Sequence, residues 1–150
     1  MPTTTTTTQE YIVTVDKDGT IRWYQNGQLH RLDGPAVEYS DGFKAWYQNG
    51  KLHRLDGPAV EYPNGFKSWY QNGKLHRIDG PAIEYANGDK SWYQNGKCHR
   101  VDGPAIELVN GKVEYWINNK EVKSFPLPVK EVTIAELEKM FNCKVKVVKD

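Results

Sequence analysis

The residues with chemical potential stand in columns. Four histidines, His30, His53, His76 and His99, recur every 23 residues, and each is followed directly by an arginine: Arg31, Arg54, Arg77 and Arg100. Two residues further on comes an aspartate: Asp33, Asp56, Asp79 and Asp102. Imidazole, guanidinium and carboxylate in one short motif raise metal ligation, acid–base catalysis and anion binding. Metal ligation fails on distance. Successive histidines are two or three strands apart, roughly 10 Å or more at ~4.8 Å per strand, farther than two ligands of one metal can stand. Each aspartate precedes Gly-Pro, where a carboxylate first serves the turn by bonding nearby backbone. Catalysis lacks equipment: there is no nucleophile elbow, no phosphate-cradling glycine loop and no acid–base pair outside the repeated columns. An active site is a single constellation, and a group copied four times is not one. The expectation is a protein that is not an enzyme, holds no metal and needs no cofactor. The histidines are expected to pack against tryptophans in cross-strand pairs. For the arginines two readings stand: a staple to the aspartates, or a forked, stacking donor for an anion or nucleotide.

The composition narrows the classes. The 150 residues carry 20 Lys+Arg against 19 Asp+Glu, a net charge of +1, so duplex nucleic acid is not expected as a partner. At 38% hydrophobic the chain is too polar for a large core, while 12% aromatic argues against disorder. No apolar run approaches the roughly 20 residues of a membrane span, and Met-Pro followed by six threonines has no signal-peptide core. Cys98 and Cys143 lack C-x-x-C spacing and read as reduced thiols. Cys98 takes the place of Leu29, Leu52 and Leu75, and reads as a small buried hydrophobe.

The elements that must position these columns follow from the same period. Trp23, Trp46, Trp69 and Trp92 are 23 apart, Tyr115 continues their column, and all thirteen glycines fall in three columns. One unit reads W-Y-Q-N-G-K-L-H-R-x-D-G-P-A-[VI]-E-Y-x-[ND]-G-x-K-[AS]. It carries two hairpin signals: Gln-Asn-Gly-Lys, suited to a type I′ turn, and a second Asn-Gly at Asn64-Gly65 and Asn87-Gly88, with Asp-Gly variants at Asp18 and Asp41. Residues 59–62, 66–71 and 74–77 read as short strands, and Asp-Gly-Pro breaks the pairing before the next unit. The expectation is an elongated all-β antiparallel meander array over residues 11–123.

The order of these elements resembles MORN repeats, and is closer still to the MORN-like variant with W-Y-x-N-G-x-x-H-R-x-D-G-P-A units. Five near-copies carry the resemblance, which covers residues 11–123; Tyr115-Trp116-Ile117-Asn118-Asn119 lacks the His-Arg-x-Asp-Gly-Pro continuation, so the fifth unit is terminal. The resemblance implies a binding or dimerising scaffold. It also implies a bacterial or bacteriophage setting, with an antitoxin-like or counter-defence role in the cytoplasm, that of the bacterial host if the chain is phage-encoded. Residues 1–10 read as a disordered Thr-rich tail. Residues 124–150 read as a C-terminal helix–strand cap: Thr133 and Glu136 form a capping box, Ile134, Leu137 and Phe141 an apolar stripe, and 144–148 alternates as an edge strand. A separate partner-docking helix is the alternative.

With Asn64-Gly65 as a two-residue loop, Val60 opposes Trp69 and Glu61 opposes Ser68. Alternation then puts Val60, Tyr62, Trp69, His76 and Ile78 on one face, expected to be framework. The other face carries Ala59, Phe66, Tyr70, Leu75, Glu61, Ser68 and Arg77. A single sheet with aromatics on both faces must curl, pair with a second copy or bind something. The candidate binding residues are Phe43, Tyr47, Arg54, Phe66, Tyr70 and Arg77, which combine aromatic area with forked donors; plain solvent exposure of that face is the alternative. A protein partner is the first expectation, a small nucleotide or other anionic ligand the second, and a structural role in a particle the third.

Overall fold

The structure is a computed structural model and describes residues 10–123. The expected N-terminal tail, apart from Glu10, and the expected C-terminal cap lie outside the described residues. What is described is all-β, as the sequence indicates. A twelve-stranded antiparallel sheet keeps chain order along its length, and each repeat adds one pair of two-residue strands, such as Val60–Glu61 with Lys67–Ser68. It opens with Ile12–Val15 against Ile21–Gln25 and closes with Val113–Ile117 against Lys120–Val122.

The second hairpin of each interior repeat stands off this sheet as a separate ribbon: Tyr47–Gln48 with Lys51–Leu52, Tyr70–Gln71 with Lys74–Leu75, and Tyr93–Gln94 with Lys97–Cys98. The chain leaves the main sheet at the tryptophan, whose N–H turns to its own repeat, Trp69 N–H donating to the Ala82 carbonyl at 2.8 Å. Successive ribbons bond to one another: Gly73 N–H donates to Leu52 O at 2.9 Å and Arg54 N–H to Tyr70 O at 3.1 Å. Each repeat is thus held to the next twice, by sheet and by ribbon.

The two Asn-Gly signals fold differently. Asn72 and Gly73 have φ of 51° and 78°, the two left-handed residues of a type I′ turn, and Tyr70 opposes Leu75 as expected. At Asn64-Gly65 only the glycine is left-handed, with φ 93°. Gly65 N–H donates to Tyr62 O at 3.0 Å, and Asn64 Oδ1 accepts from Phe66 N–H at 3.0 Å. Tyr62-Pro63-Asn64-Gly65 is therefore a β-turn with proline in its second place, and the loop has three residues instead of two. The expected register is corrected by one residue: Val60 opposes Ser68, Glu61 opposes Lys67, and Tyr62 bonds to Phe66.

That slip re-sorts the faces. One row crosses the sheet as Val37, Ala45, Val60, Ser68, Ile83, Ser91 and Ile106, alternating large and small. Around its buried Val37, Ala45 and Val60 pack Leu29, Phe43, Tyr47, Leu52, Phe66 and Tyr70. The neighbouring row, on the opposite face, runs Glu38, Lys44, Glu61, Lys67, Glu84, Lys90 and Glu107, so every cross-strand neighbour has the opposite charge. The fully buried apolar residues are small (Ala36, Ala59, Ala82 and Ala105 are each 0% exposed), which is how a polar chain builds a thin core.

Candidate functional site

The arginine column sits on the Glu/Lys face and is engaged within each repeat through Nε and Nη1. Arg77 Nε donates to Asp79 Oδ1 at 3.0 Å, while Nη1 donates to Pro81 O at 3.2 Å and Glu84 Oε1 at 3.1 Å. Its Cζ lies 4.1 Å above the centre of the Trp69 ring. The same rivet recurs at Arg31, Arg54 and Arg100, over Trp23, Trp46 and Trp92. Each guanidinium neutralises a carboxylate on either side, and its hydrogen bond holds Asp33, Asp56, Asp79 and Asp102 below the usual aspartate range. Of the two sequence readings, the geometry matches the staple.

The histidines are engaged by backbone across the repeat boundaries. Nδ1 of His53 accepts Asn72 N–H at 3.2 Å, and His76 and His99 accept from Asn95 and Asn118 in the same way, across the boundary between repeats. Nδ1 of His53 and of His76 also stands 3.1 and 3.2 Å from Asn72 Oδ1 and Asn95 Oδ1, so the ring tautomer sets whether it accepts from the amide N–H or donates to the side-chain oxygen. Among the described residues no cluster of three or more metal-ligating side chains exists. Clefts of about 490–550 Å³ lie between successive rivets, walled by Leu32, Leu55 or Ile78 and by the aspartates.

The candidate binding set divides. Phe43, Tyr47, Phe66 and Tyr70 gather on the Val/Ser face, whereas Arg54 and Arg77 stand on the other. Tyr47 and Tyr70 belong to the core more than to the surface: burial is the main cause that pushes both phenols up from their ordinary values. The framework assignment is corrected as well. Val60 and Tyr62 lie on the same side as Phe66, and Trp69 lies opposite them, because the register moves by one and the strand jogs at the tryptophan.

A surface the sequence reading divided between two faces comes together instead. Tyr39, Phe43, Tyr62, Phe66 and Tyr85 form an unbroken row along the array, with successive ring centres 4.7, 4.7, 5.5 and 5.7 Å apart. The three tyrosines are 43%, 46% and 42% exposed. A cleft of about 520 Å³ opens in this row between Tyr62 and Tyr85, floored by Phe66 and edged by Asn64, Ala86 and Asn87. The row stops where Asp89 occupies the phenylalanine place; its Oδ1 accepts from Val109 N–H at 2.7 Å and its Oδ2 from Asn87 Nδ2 at 2.8 Å. The signal was present in the Y-x-[ND]-G-F spacing, but only the three-residue loop brings tyrosine opposite phenylalanine.

Cys98 is buried against Tyr93, and burial pushes its thiol up to about 11. No helix among the described residues is long and apolar enough to cross a membrane. No model of a known protein family matches the chain, and no curated protein matches it.

Proposed function

We propose that the chain is a MORN-like scaffold that acts by binding, without catalysis, and that it docks a protein partner along the aromatic row of its Val/Ser face. One observation carries the reading: five rings in continuous contact, three of them more than two-fifths exposed, run the length of the central repeats. Exposed aromatic area of this extent is the residue chemistry of interface hot spots, and the rigid sheet beneath presents it without an ordering cost. A soluble, cytoplasmic setting and neutralisation of the bound partner belong to the same proposal.

Sequestration of a nucleotide or other anion has less support. The arginines that would hold a phosphate give their Nε and Nη1 donors to Asp, Glu and Pro carbonyl groups of their own repeats. The test places a photo-crosslinking amino acid at position 62 or at position 67 in cells that make the protein. Position 62 should give one discrete protein adduct and position 67 none. Adducts from 67 alone would assign docking to the Glu/Lys face.

A further inference from the structure

The chemistry of the partner segment can be taken one step further, on the reading that the aromatic row is the docking surface. We infer that the row takes a proline-rich peptide in the polyproline II conformation, with a basic residue beyond its prolines. Three features of the surface converge on that ligand.

The first is pitch. Each repeat contributes two strands to the sheet, so the tyrosines recur about every 9.5 Å. A polyproline II helix turns once in three residues at ~3.1 Å each, about 9.3 Å, and presents the same side every turn. An extended strand presents one side every ~6.8 Å. Such a strand falls out of step with three successive tyrosines; the polyproline II helix does not.

The second is shape and hydrogen bonding. Tyr62 and Tyr85 stand as half-exposed walls around a cleft floored by Phe66, the ridge-and-slot form that receives proline rings. A proline-rich backbone has carbonyl acceptors and few N–H donors. The rim supplies donors: the tyrosine hydroxyls, and Asn64 Nδ2, which no acceptor among the described residues takes.

The third is charge. At the end of the row the carboxylate of Asp89 is fixed by two hydrogen bonds, and no cation among the described residues pairs with it. A ligand whose prolines fill the slots brings its next turn beside that carboxylate, where lysine or arginine is complementary.

Fluorescence anisotropy with labelled synthetic peptides tests this. One peptide has proline at every third residue and a terminal arginine. A second has the same composition with proline at every second residue, and a third replaces the arginine by glutamine. The period-three peptide should bind at least about tenfold tighter than the period-two peptide. Tyr62→Ala and Tyr85→Ala should each weaken it about tenfold, the effect of removing one aromatic platform, in variants shown to be folded at the assay temperature; Tyr62→Phe should retain most of the affinity. Asp89→Asn should abolish the preference for arginine over glutamine. Equal affinity for the two periods, no binding at millimolar peptide, or indifference to Tyr62→Ala would each overturn the proposal. If the peptides fail while position 62 still crosslinks a protein, the proline assignment falls and the scaffold reading stands. If position 62 crosslinks nothing, the scaffold reading falls as well.

Discussion

Removing the guanidinium at position 77 tests the rivet that organises the Glu/Lys face. Arg77→Ala deletes a charge-assisted bond shared between Pro81 O and Glu84, about 1–1.5 kcal/mol given that Glu84 is itself 36% exposed. It also deletes the stacking on Trp69, about 1 kcal/mol at this half-buried site. The bridge to Asp79, whose side chain is 83% exposed, adds little. The expected loss is about 2–3 kcal/mol, roughly 8–12 °C in melting temperature. A second substitution reaches the same rivet without touching the arginine. A Cβ added at Gly80 would stand 2.8 Å from Arg77 Cζ, so Gly80→Ala must swing the fork off the indole. It should cost about 1–2 kcal/mol in the native protein. Once Arg77 is alanine the obstacle is gone, and the entropy lost from the unfolded chain should make Gly80→Ala neutral or stabilising by up to about 0.5 kcal/mol. Urea unfolding of the four proteins in this double-mutant cycle measures the coupling directly. Additive losses, or a harmless Gly80→Ala in the native background, would refute the view that the guanidinium holds the face together.

Three further outcomes follow from the same geometry. Gly73→Val should lower stability by about 1–2 kcal/mol or more, because a β-branched residue is forced to φ 78°, while Lys74→Val should be nearly neutral; thermal midpoints decide it. The carboxyls of Asp33, Asp56, Asp79 and Asp102 titrate below their unfolded values. Their contribution is therefore complete above the unfolded pKa and is lost as pH falls through the depressed folded values. NMR titration should show Asp79 alone moving up toward the ordinary range in Arg77→Ala, its backbone hydrogen bond keeping part of the depression. Cys98, with a thiol near 11, should resist alkylation at pH 8 until the array opens, so that peptide-mapped labelling of Cys98 rises with urea in step with unfolding; rapid labelling without denaturant would contradict its burial.

Much of the fold was legible because repetition multiplies weak signals. Asn72-Gly73 and its copies announce type I′ turns, and the glycine and tryptophan columns set the unit. The Asn64-Gly65 turn was misjudged because the dipeptide is ambiguous: asparagine can adopt a left-handed φ, as Asn72 does, or bond its side chain to the backbone two residues on, as Asn64 does. Pro63 was the available discriminator, since its fixed φ suits the second place of a type I turn and it cannot donate to a central ladder. The three-residue loop, which forms equally where Ser40 or Ala86 takes the proline's place, decides whether Val60 faces Trp69 or Ser68, and with it the partition of the whole surface. The Arg77–Trp69 stack was not legible. It spans eight residues and depends on the jog at Trp69, which no local pattern encodes. For that reason the sequence pattern groups Arg54 and Arg77 with Phe66 and Tyr70 and places Tyr62 with the framework, away from the ring of Phe66 that it touches.

The central claim is that the aromatic row, and not the Trp/Arg face, meets the partner. The most direct measurement is the paired crosslinking yield from positions 62 and 67, taken on protein whose melting temperature matches the unmodified chain. Adduct formation at 62, reduced by Tyr85→Ala and absent at 67, is the outcome the account predicts; adducts at 67 that survive Tyr85→Ala would contradict it.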